Sequence, residues 1–298
     1  MKIIVIGTGY VGLVHAAVCS EYGHDVIAHD IDKDKIEAFS TGQPEPIEKY
    51  VNEPGLVNII RETLNKSLHF SHDLPAIIEG TDAIFMCLPT PSNIDGSTNL
   101  TFYDAAAEFI AEVLAKRKDN RRVVLVNKST VPIGTARHLE NIMKSHGVEN
   151  FGVASNPEFL AEGTAVADAR RPDRVVVGCD HEEDFRILRR VYSQFVNHVR
   201  IKYIETTPET AEAIKYVANT MLLTYISFWN GVGAKIGEKF PNVIIDDLRL
   251  GVTSDERIST WGSFVSNGAG GSCFGKDIAS LINQLRRVNV STKMLEAS

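Results

Sequence analysis

The sequence predicts an α/β chain: a first part built on a parallel sheet with alternating helices, then an all-helical second part. Three observations carry this. Short apolar runs of strand length alternate with amphipathic stretches from Lys2 to Gly178. A glycine-rich turn follows the first of those runs at once. From Thr207 onward the apolar residues recur at helical spacing. The expected division is residues 1–203 and 204–298.

Length and composition bound the rest. The 298 residues suffice for one large or two ordinary domains. A hydrophobic share of 44% with 23% charged residues is that of a globular chain. A net charge of -7 argues against a nucleic-acid partner, though not against a small anionic ligand. No apolar run approaches the ~20 residues of a membrane span. The N-terminus enters a glycine loop directly and is not a signal peptide, so a cytoplasmic location is expected. Cys19, Cys87, Cys179 and Cys273 are scattered without CxxC spacing, which fits a reducing compartment and predicts no metal site.

Lys2–Ile6 reads as a buried strand, Leu13–Glu21 as a helix stopped by Gly23, and Asp25–Ala28 as a second strand ending at Asp30. Between the first strand and the helix lies Gly7-Thr-Gly9-Tyr10-Val11-Gly12. In that context Gly7 makes the turn, Gly9 admits a pyrophosphate and Gly12 allows close helix–strand packing. Asp30, 18 residues after Gly12, is placed to accept from a ribose 2′-hydroxyl and would repel a 2′-phosphate. The first part is therefore predicted to be a Rossmann domain binding NAD rather than NADP.

Further strands are expected at Ala83–Leu88, Arg122–Val126, Phe151–Ala154 and Arg174–Val177, with helices at Phe102–Lys116 and Ala136–His146. Pro89, Thr90, Ser129, Thr130, Asn156 and Glu158 all fall just past strand ends, on the edge where such sheets bind ligands. Taken singly each reads as a turn or cap residue; together they suggest a site. Glu45–Leu64 reads as a surface insertion without chemistry, and Arg117–Arg122 as a solvated charged run.

In the second part, Thr207–Ile236 reads as one long helix. Ala211, Ile214, Ala218, Met221, Leu222, Tyr225 and Trp229 form its apolar stripe, suited to a second domain or subunit. Lys215 and Asn219, four apart, project together. They read either as an exposed pair or as a ligand contact. Helices are also expected over Ile244–Gly251 and Ile278–Val288. The stretch Gly268–Asp277 carries Cys273 and, one turn on, Asp277. A helix opening near Ser272 would favour a thiolate at Cys273. Locally, a reactive and a structural cysteine are equally good readings.

With these residues in hand, the chain resembles the UDP-glucose/GDP-mannose dehydrogenase family, on its UDP-glucose 6-dehydrogenase side. The resemblance spans nearly the whole chain. It rests on Gly7–Gly12, Pro89-Thr90-Pro91, Lys128–Pro132, Asn156–Gly163, Pro172–Val175, Lys215 with Asn219, and Gly270–Phe274 with Lys276-Asp277. It implies oxidation of a nucleotide-sugar C6 alcohol to a carboxylate with reduction of two NAD. Cys273 would be the nucleophile, forming a thiohemiacetal and then a thioester. Lys215 and Asn219 would stabilise the oxyanion, Asp277 and Thr130 would position water or relay protons, and Glu158 would act as general base. The sugar nucleotide would meet Glu158, Phe159, Leu160, Lys215, Asn219, Arg257, Phe264, Ser266 and Gly270. NAD would meet Gly7, Gly9, Tyr10, Val11, Gly12, Asp30, Lys35, Pro89, Thr90, Ser129, Glu162 and Lys276. No metal is implied. UDP-glucose is the first choice of substrate, then a UDP-N-acetylhexosamine or GDP-mannose, and a homodimer through the 207–236 helix is expected.

The sequence departs from the family pattern in three ways. Ala269 stands where an aromatic residue is usual, and Gly275 replaces a proline or other larger residue. The family's C-terminal UDP-binding domain would begin beyond Ser298, so this polypeptide alone is expected to bind NAD with little or no turnover. Two other readings compete. A 3-hydroxyacid or 6-phosphogluconate-type dehydrogenase would need no cysteine, and a non-catalytic NAD-binding and dimerisation module would need no turnover.

Overall fold

The computed structural model describes residues 1–266, 268–269 and 273–298. Two compact units result, Met1–Thr90 with Asn99–Ala213, and Pro91–Thr98 with Ile214–Ser298.

The first unit opens with β1 (Lys2–Ile6), α1 (Tyr10–Glu21), β2 (Asp25–His29), α2 (Lys33–Ser40), α3 (Pro44–Glu48) and α4 (Leu56–Thr63). It continues with β3 (Leu68–Ser71), α5 (Leu74–Ile77), β4 (Ala83–Met86), α6 (Thr101–Ala115), β5 (Val123–Asn127), α7 (Thr135–Ser145) and β6 (Phe151–Ser155). Last come α8 (Ala165–Arg170), β7 (Arg174–Gly178), α9 (Glu182–Val191), α10 (Ser193–Val196) and β8 (Lys202–Thr206). The eight strands form one sheet in the order β3-β2-β1-β4-β5-β6-β7-β8. Helices cover both faces, which explains why the central strands read as continuous apolar runs. Along β1, Ile3 and Val5 pack with α1 and α4 on one side, while Ile4 and Ile6 pack with α6 and α7 on the other.

The register aligns the strand ends. Ile6 lies beside His29 and Met86, Met86 beside Asn127, and Asn127 beside Ser155. Gly7, Asp30, Cys87, Lys128 and Asn156 therefore all leave the sheet from one line.

The sheet is not wholly parallel as the alternation predicts. β7 pairs antiparallel to β6 through Ser155 and Gly178. The connection from Asn156 to Asp173 holds only the six-residue α8, and it is tied to the glycine turn rather than carrying the chain back along the sheet.

Two surface readings are also corrected. Residues 45–64 are not a surface insertion: Ile47, Val51, Leu56, Ile59 and Ile60 are almost fully buried in the core. The apolar face of α4 at i, i+1, i+3 and i+4 is a helical signal that the flanking charges obscure. Nor is Arg117–Arg122 simply solvated. Arg122 grips Asp184, itself 1% exposed, through Nε at 2.7 Å and Nη2 at 3.0 Å. Gly152 makes room for this pair, since a Cβ there would sit 2.1 Å from Asp184 Oδ1.

The second unit is helical. It holds the later part of α11 (Pro208–Phe228), a π-helical turn over Trp229–Gly233, α12 (Ala234–Lys239), α13 (Ile245–Thr253), α14 (Cys273–Arg287) and α15 (Lys293–Glu296). The predicted long helix is thus broken into three pieces, and the helix predicted from Ile278 starts at Cys273. The loop Pro91–Thr98 belongs here too. Thr98 and Ser280 hydroxyls meet at 2.7 Å, and Ser280 donates to the buried Tyr216 hydroxyl at 3.1 Å.

The buried face of α11 differs from the predicted stripe. Ala211, Glu212, Lys215, Tyr216, Asn219 and Thr220 are buried, whereas Met221 is 62% exposed. A buried face rich in polar side chains escapes an apolar periodicity count.

Candidate functional site

The turn after β1 shows which glycines the chain itself requires. Gly7 has φ +89°, and a Cβ on it would lie 2.4 Å from the Cys87 carbonyl oxygen. A Cβ on Gly12 would lie 1.8 Å from the Gly7 oxygen. A Cβ on Gly9 would meet nothing within 4 Å. The first two glycines are fixed by packing, while Gly9 faces open space at the start of α1, the N-cap of which has no side-chain bond. The first-turn amides of α1 are thus available to an anion. This cradle fits a dinucleotide pyrophosphate.

Asp30 completes that end. Its Oδ2 accepts from the Thr8 amide at 2.8 Å and the Thr8 hydroxyl at 2.7 Å, and Oδ1 accepts from the Asp32 amide at 3.1 Å. Burial works to raise the Asp30 carboxyl, but the Thr8 and Asp32 amides, the Thr8 hydroxyl and Lys35 hold it below its ordinary value. Lys35 lies 3.6 Å from Oδ2. The carboxylate is therefore ionised and oriented. Thr8, fully buried, orients this carboxylate from a position that a glycine motif leaves blank.

The loops past β4 and β5 are stitched together. The Leu88 amide donates to Ser129 Oγ at 2.7 Å, and Thr90 Oγ1 donates to the Thr130 carbonyl at 3.0 Å. Beneath them the buried Lys128 donates to Asn156 Oδ1 at 2.9 Å, and the Tyr192 hydroxyl donates to the same oxygen. Asn156 in turn donates to the Val176 carbonyl at 2.6 Å. This network fixes the start of the Asn156–Gly163 loop. Within it, Glu158 accepts from the Leu160 amide at 2.6 Å, Phe159 lies under the Arg174 guanidinium at 3.8 Å, and Glu162 is exposed.

A further carboxylate was missed. Glu53, from the stretch read as chemically silent, is 4% exposed. It accepts from the Tyr10 hydroxyl at 2.8 Å and from the Gly163 and Ala165 amides at 3.0 and 2.5 Å. Only contacts across 43 and more than 100 residues reveal it, so local sequence gives no signal.

In the second unit, Lys215 and Asn219 are 5% and 8% exposed, so the exposed-pair reading fails. Asn219 Nδ2 donates to Asp277 Oδ2 at 2.6 Å, and Lys276 Nζ donates to Oδ1 at 2.8 Å. Asp277 is 1% exposed. Cys273 is the first residue of the 15-residue α14 and is exposed, whereas Cys19, Cys87 and Cys179 are buried. Burial pushes the Cys19 and Cys87 thiols up to about 12, which leaves them unreactive. Among the predicted sugar contacts, Arg257 is exposed and paired with Asp255 at 2.6 Å, and the Ser266 amide donates to Asn230 Oδ1 at 2.8 Å. Phe264, 58% exposed, lies 4.5 Å from the Arg249 guanidinium. Gly270 and Ser272 lie outside the described residues. Among the described residues no group of His, Cys, Asp and Glu could hold a metal.

A doubly wound sheet with a phosphate-binding glycine turn and an ordered acid after β2 defines a dinucleotide-binding protein of the dehydrogenase type. Residues 1–196 match the NAD-binding domain, and residues 209–298 the central domain, of the UDP-glucose/GDP-mannose dehydrogenase family, and the chain belongs to that family. It is 37% identical to the UDP-glucose 6-dehydrogenase of Pseudomonas aeruginosa, over 100% of this chain and 64% of that protein. It is 38% identical to the UDP-glucose 6-dehydrogenase TuaD of Bacillus subtilis, over 99% of this chain and 61% of that protein. The solved UDP-glucose dehydrogenase of the archaeon Pyrobaculum islandicum matches with a TM-score of 0.90 at 32% identity, over 99% of this chain and 66% of that one. The chain thus spans between 61% and 66% of the length of these relatives. No described helix is long and apolar enough to cross a membrane.

Proposed function

We propose that the chain carries the NAD-binding and catalytic parts of a UDP-glucose 6-dehydrogenase, which oxidises the C6 alcohol of UDP-glucose to the carboxylate of UDP-glucuronate. The observation that carries the reading is the head of α14. Cys273 stands exposed at its start, one turn before an Asp277 that Asn219 and Lys276 hold in place. A cysteine is the residue expected where an aldehyde must be taken on to an acid. UDP-glucose is preferred because the relatives named above act, by their names, on that sugar.

NAD, when bound, takes up a hydride from the sugar C6 in each of two oxidations. Gly9 and the first amides of α1 would hold the pyrophosphate, and Asp30 the adenosine ribose. Thr90, Ser129, Glu162 and Lys276 are assigned further contacts to the cofactor. In the second unit, the Cys273 thiolate adds to the C6 aldehyde, giving a thiohemiacetal whose oxyanion Lys215 and Asn219 stabilise. Loss of hydride from that carbon leaves a thioester. Asp277 and Thr130 relay protons, among them the one that the C6 hydroxyl gives up in the first oxidation; Glu158 takes a proton from the attacking water, and hydrolysis returns the free thiol. Phe159, Leu160, Arg257, Phe264, Ser266 and Gly270 are assigned to the sugar nucleotide.

The test is NADH yield from a panel of UDP-glucose, UDP-N-acetylhexosamines and GDP-mannose, in this chain and in any longer protein that contains it. Two NADH per UDP-glucose, with Cys273→Ser stalled on a bound intermediate, is expected. One NADH per sugar, or a Cys273→Ser variant with full turnover, sinks the thioester route.

A further inference from the structure

We propose that Glu53 is a positioning residue that couples dinucleotide binding at the glycine turn to the order of the Ala161–Ala165 segment, and so to the adjoining Glu158–Leu160 loop. The importance given to that loop rests on the reading above; the coupling itself needs only the NAD-binding domain.

Glu53 lies on the connection between α3 and α4, followed by Pro54 and by Gly55 at φ +83°. Its carboxylate is 4% exposed. Oε2 faces the Tyr10 hydroxyl at 2.8 Å and the Gly163 amide at 3.0 Å, and Oε1 faces the Ala165 amide at 2.5 Å. Among the described residues these partners are all neutral donors. A buried charge held only by dipoles loses heavily when one of them leaves. Tyr10, Gly163 and Ala165 therefore move as one body.

Tyr10 gives the clasp its direction. It is the first residue of α1, so its amide is among those presented to the pyrophosphate. Its side chain runs the other way. The hydroxyl sits between Glu53 and the Ala161 carbonyl, 3.0 Å away. An anion that pins the backbone of Tyr10 pins the far end of its ring, and with it the segment that opens onto Glu158. Coupling of this kind is reciprocal, so an ordered segment also favours the cofactor.

Amide hydrogen exchange on this chain, with and without saturating NAD and with no nucleotide sugar present, tests the coupling. In the wild type, NAD should slow exchange across residues 161–165 by roughly fivefold or more. In Glu53→Gln and Tyr10→Phe, NAD should still protect residues 9–13, while its slowing of residues 163–165, which lie past the contact assigned to Glu162, should fall to about half or less of the wild-type effect. A merely structural role would raise exchange by one factor in both states and keep the NAD-dependent step. That outcome overturns the proposal, as does a wild type with no such step. Tyr10→Phe keeps the carboxylate on both amides and carries the test alone if Glu53→Gln does not fold. A Tyr10→Phe variant that loses NAD altogether also overturns it, because the hydroxyl would then belong to the cofactor site. No sugar takes part, so failure here leaves the proposed oxidation standing.

Discussion

Three glycines of one motif have different jobs, and single substitutions separate them. At Gly12 an added methyl would press on the Gly7 oxygen at 1.8 Å. Gly12→Ala should therefore cost about 3 kcal/mol or prevent folding, read by chemical denaturation. Gly9 has φ -71° and nothing within 4 Å of an added Cβ. Gly9→Ala should leave the melting temperature unchanged while NAD affinity, measured by calorimetry, falls about tenfold or more, which is about 1.4 kcal/mol. Equal effects of the two changes would refute this division. In the second unit, Asn219→Ala would strip a neutral donor from the buried Asp277 carboxylate. A stability loss of about 1–3 kcal/mol is expected, with Asn219→Gln recovering little of it because the longer side chain must be refitted. The glycines were readable because each obeys a local rule. Thr8 and Glu53 were not, because their importance lies in partners that the sequence does not place beside them.

At the scale of elements, the join between α7 and α11 has a built-in pH dependence. Glu212, 3% exposed, accepts from the Gly134 and Ala136 amides at 2.6 and 2.9 Å and from Ser155 Oγ at 3.0 Å. It thereby satisfies the opening turn of α7, which has no side-chain cap of its own. Burial nevertheless dominates and raises the Glu212 carboxyl from 4.5 to about 7. The folded pKa lies above the unfolded one, so this group's stabilisation is complete below pH ~4.5 and is lost as pH rises through ~7. The loss amounts to roughly 3 kcal/mol at most. Thermal unfolding of the wild type from pH 4.5 to 8 should show that decline, and Glu212→Gln should flatten it; an unchanged slope in the variant would exclude Glu212 as its source. Six of the eight strands of the first unit, with α1, α6 and α7, were predicted within a few residues, because apolar runs and turn glycines are local signals. β3, β8 and the other helices, α2 to α5 and α8 to α10, were overlooked. β8 is a mostly exposed edge strand, and α9 carries three acids and several arginines around a thin apolar face.

At the scale of the molecule, Val217, Met221, Phe228 and Val232 are 46–62% exposed. Their spacing follows one side of α11 into the π-helical turn. An exposed apolar stripe of this kind marks an interaction surface, and the expected occupant is a second copy of the chain. Sedimentation at micromolar concentration should show a dimer, and Met221→Glu should shift it to monomer; a wild type that stays monomeric would rule this out. The break over Trp229–Gly233 bears on that surface in another way. A π turn is an α-helix holding one residue more than its ladder needs. The bulge takes up its extra residue locally, so the helix after it keeps the facing it would have in plain α. Removing Gly231 would let the ladder close with α12 still in register, whereas the same deletion within Pro208–Phe228 would turn everything after it by about 100° about the axis. Asn230, which holds the Ser266 amide, sits inside the turn and is the contact such a change would touch first. This stretch can therefore vary in length more readily than the plain helix before it. A one-residue deletion should do less damage here than in the preceding turns of α11.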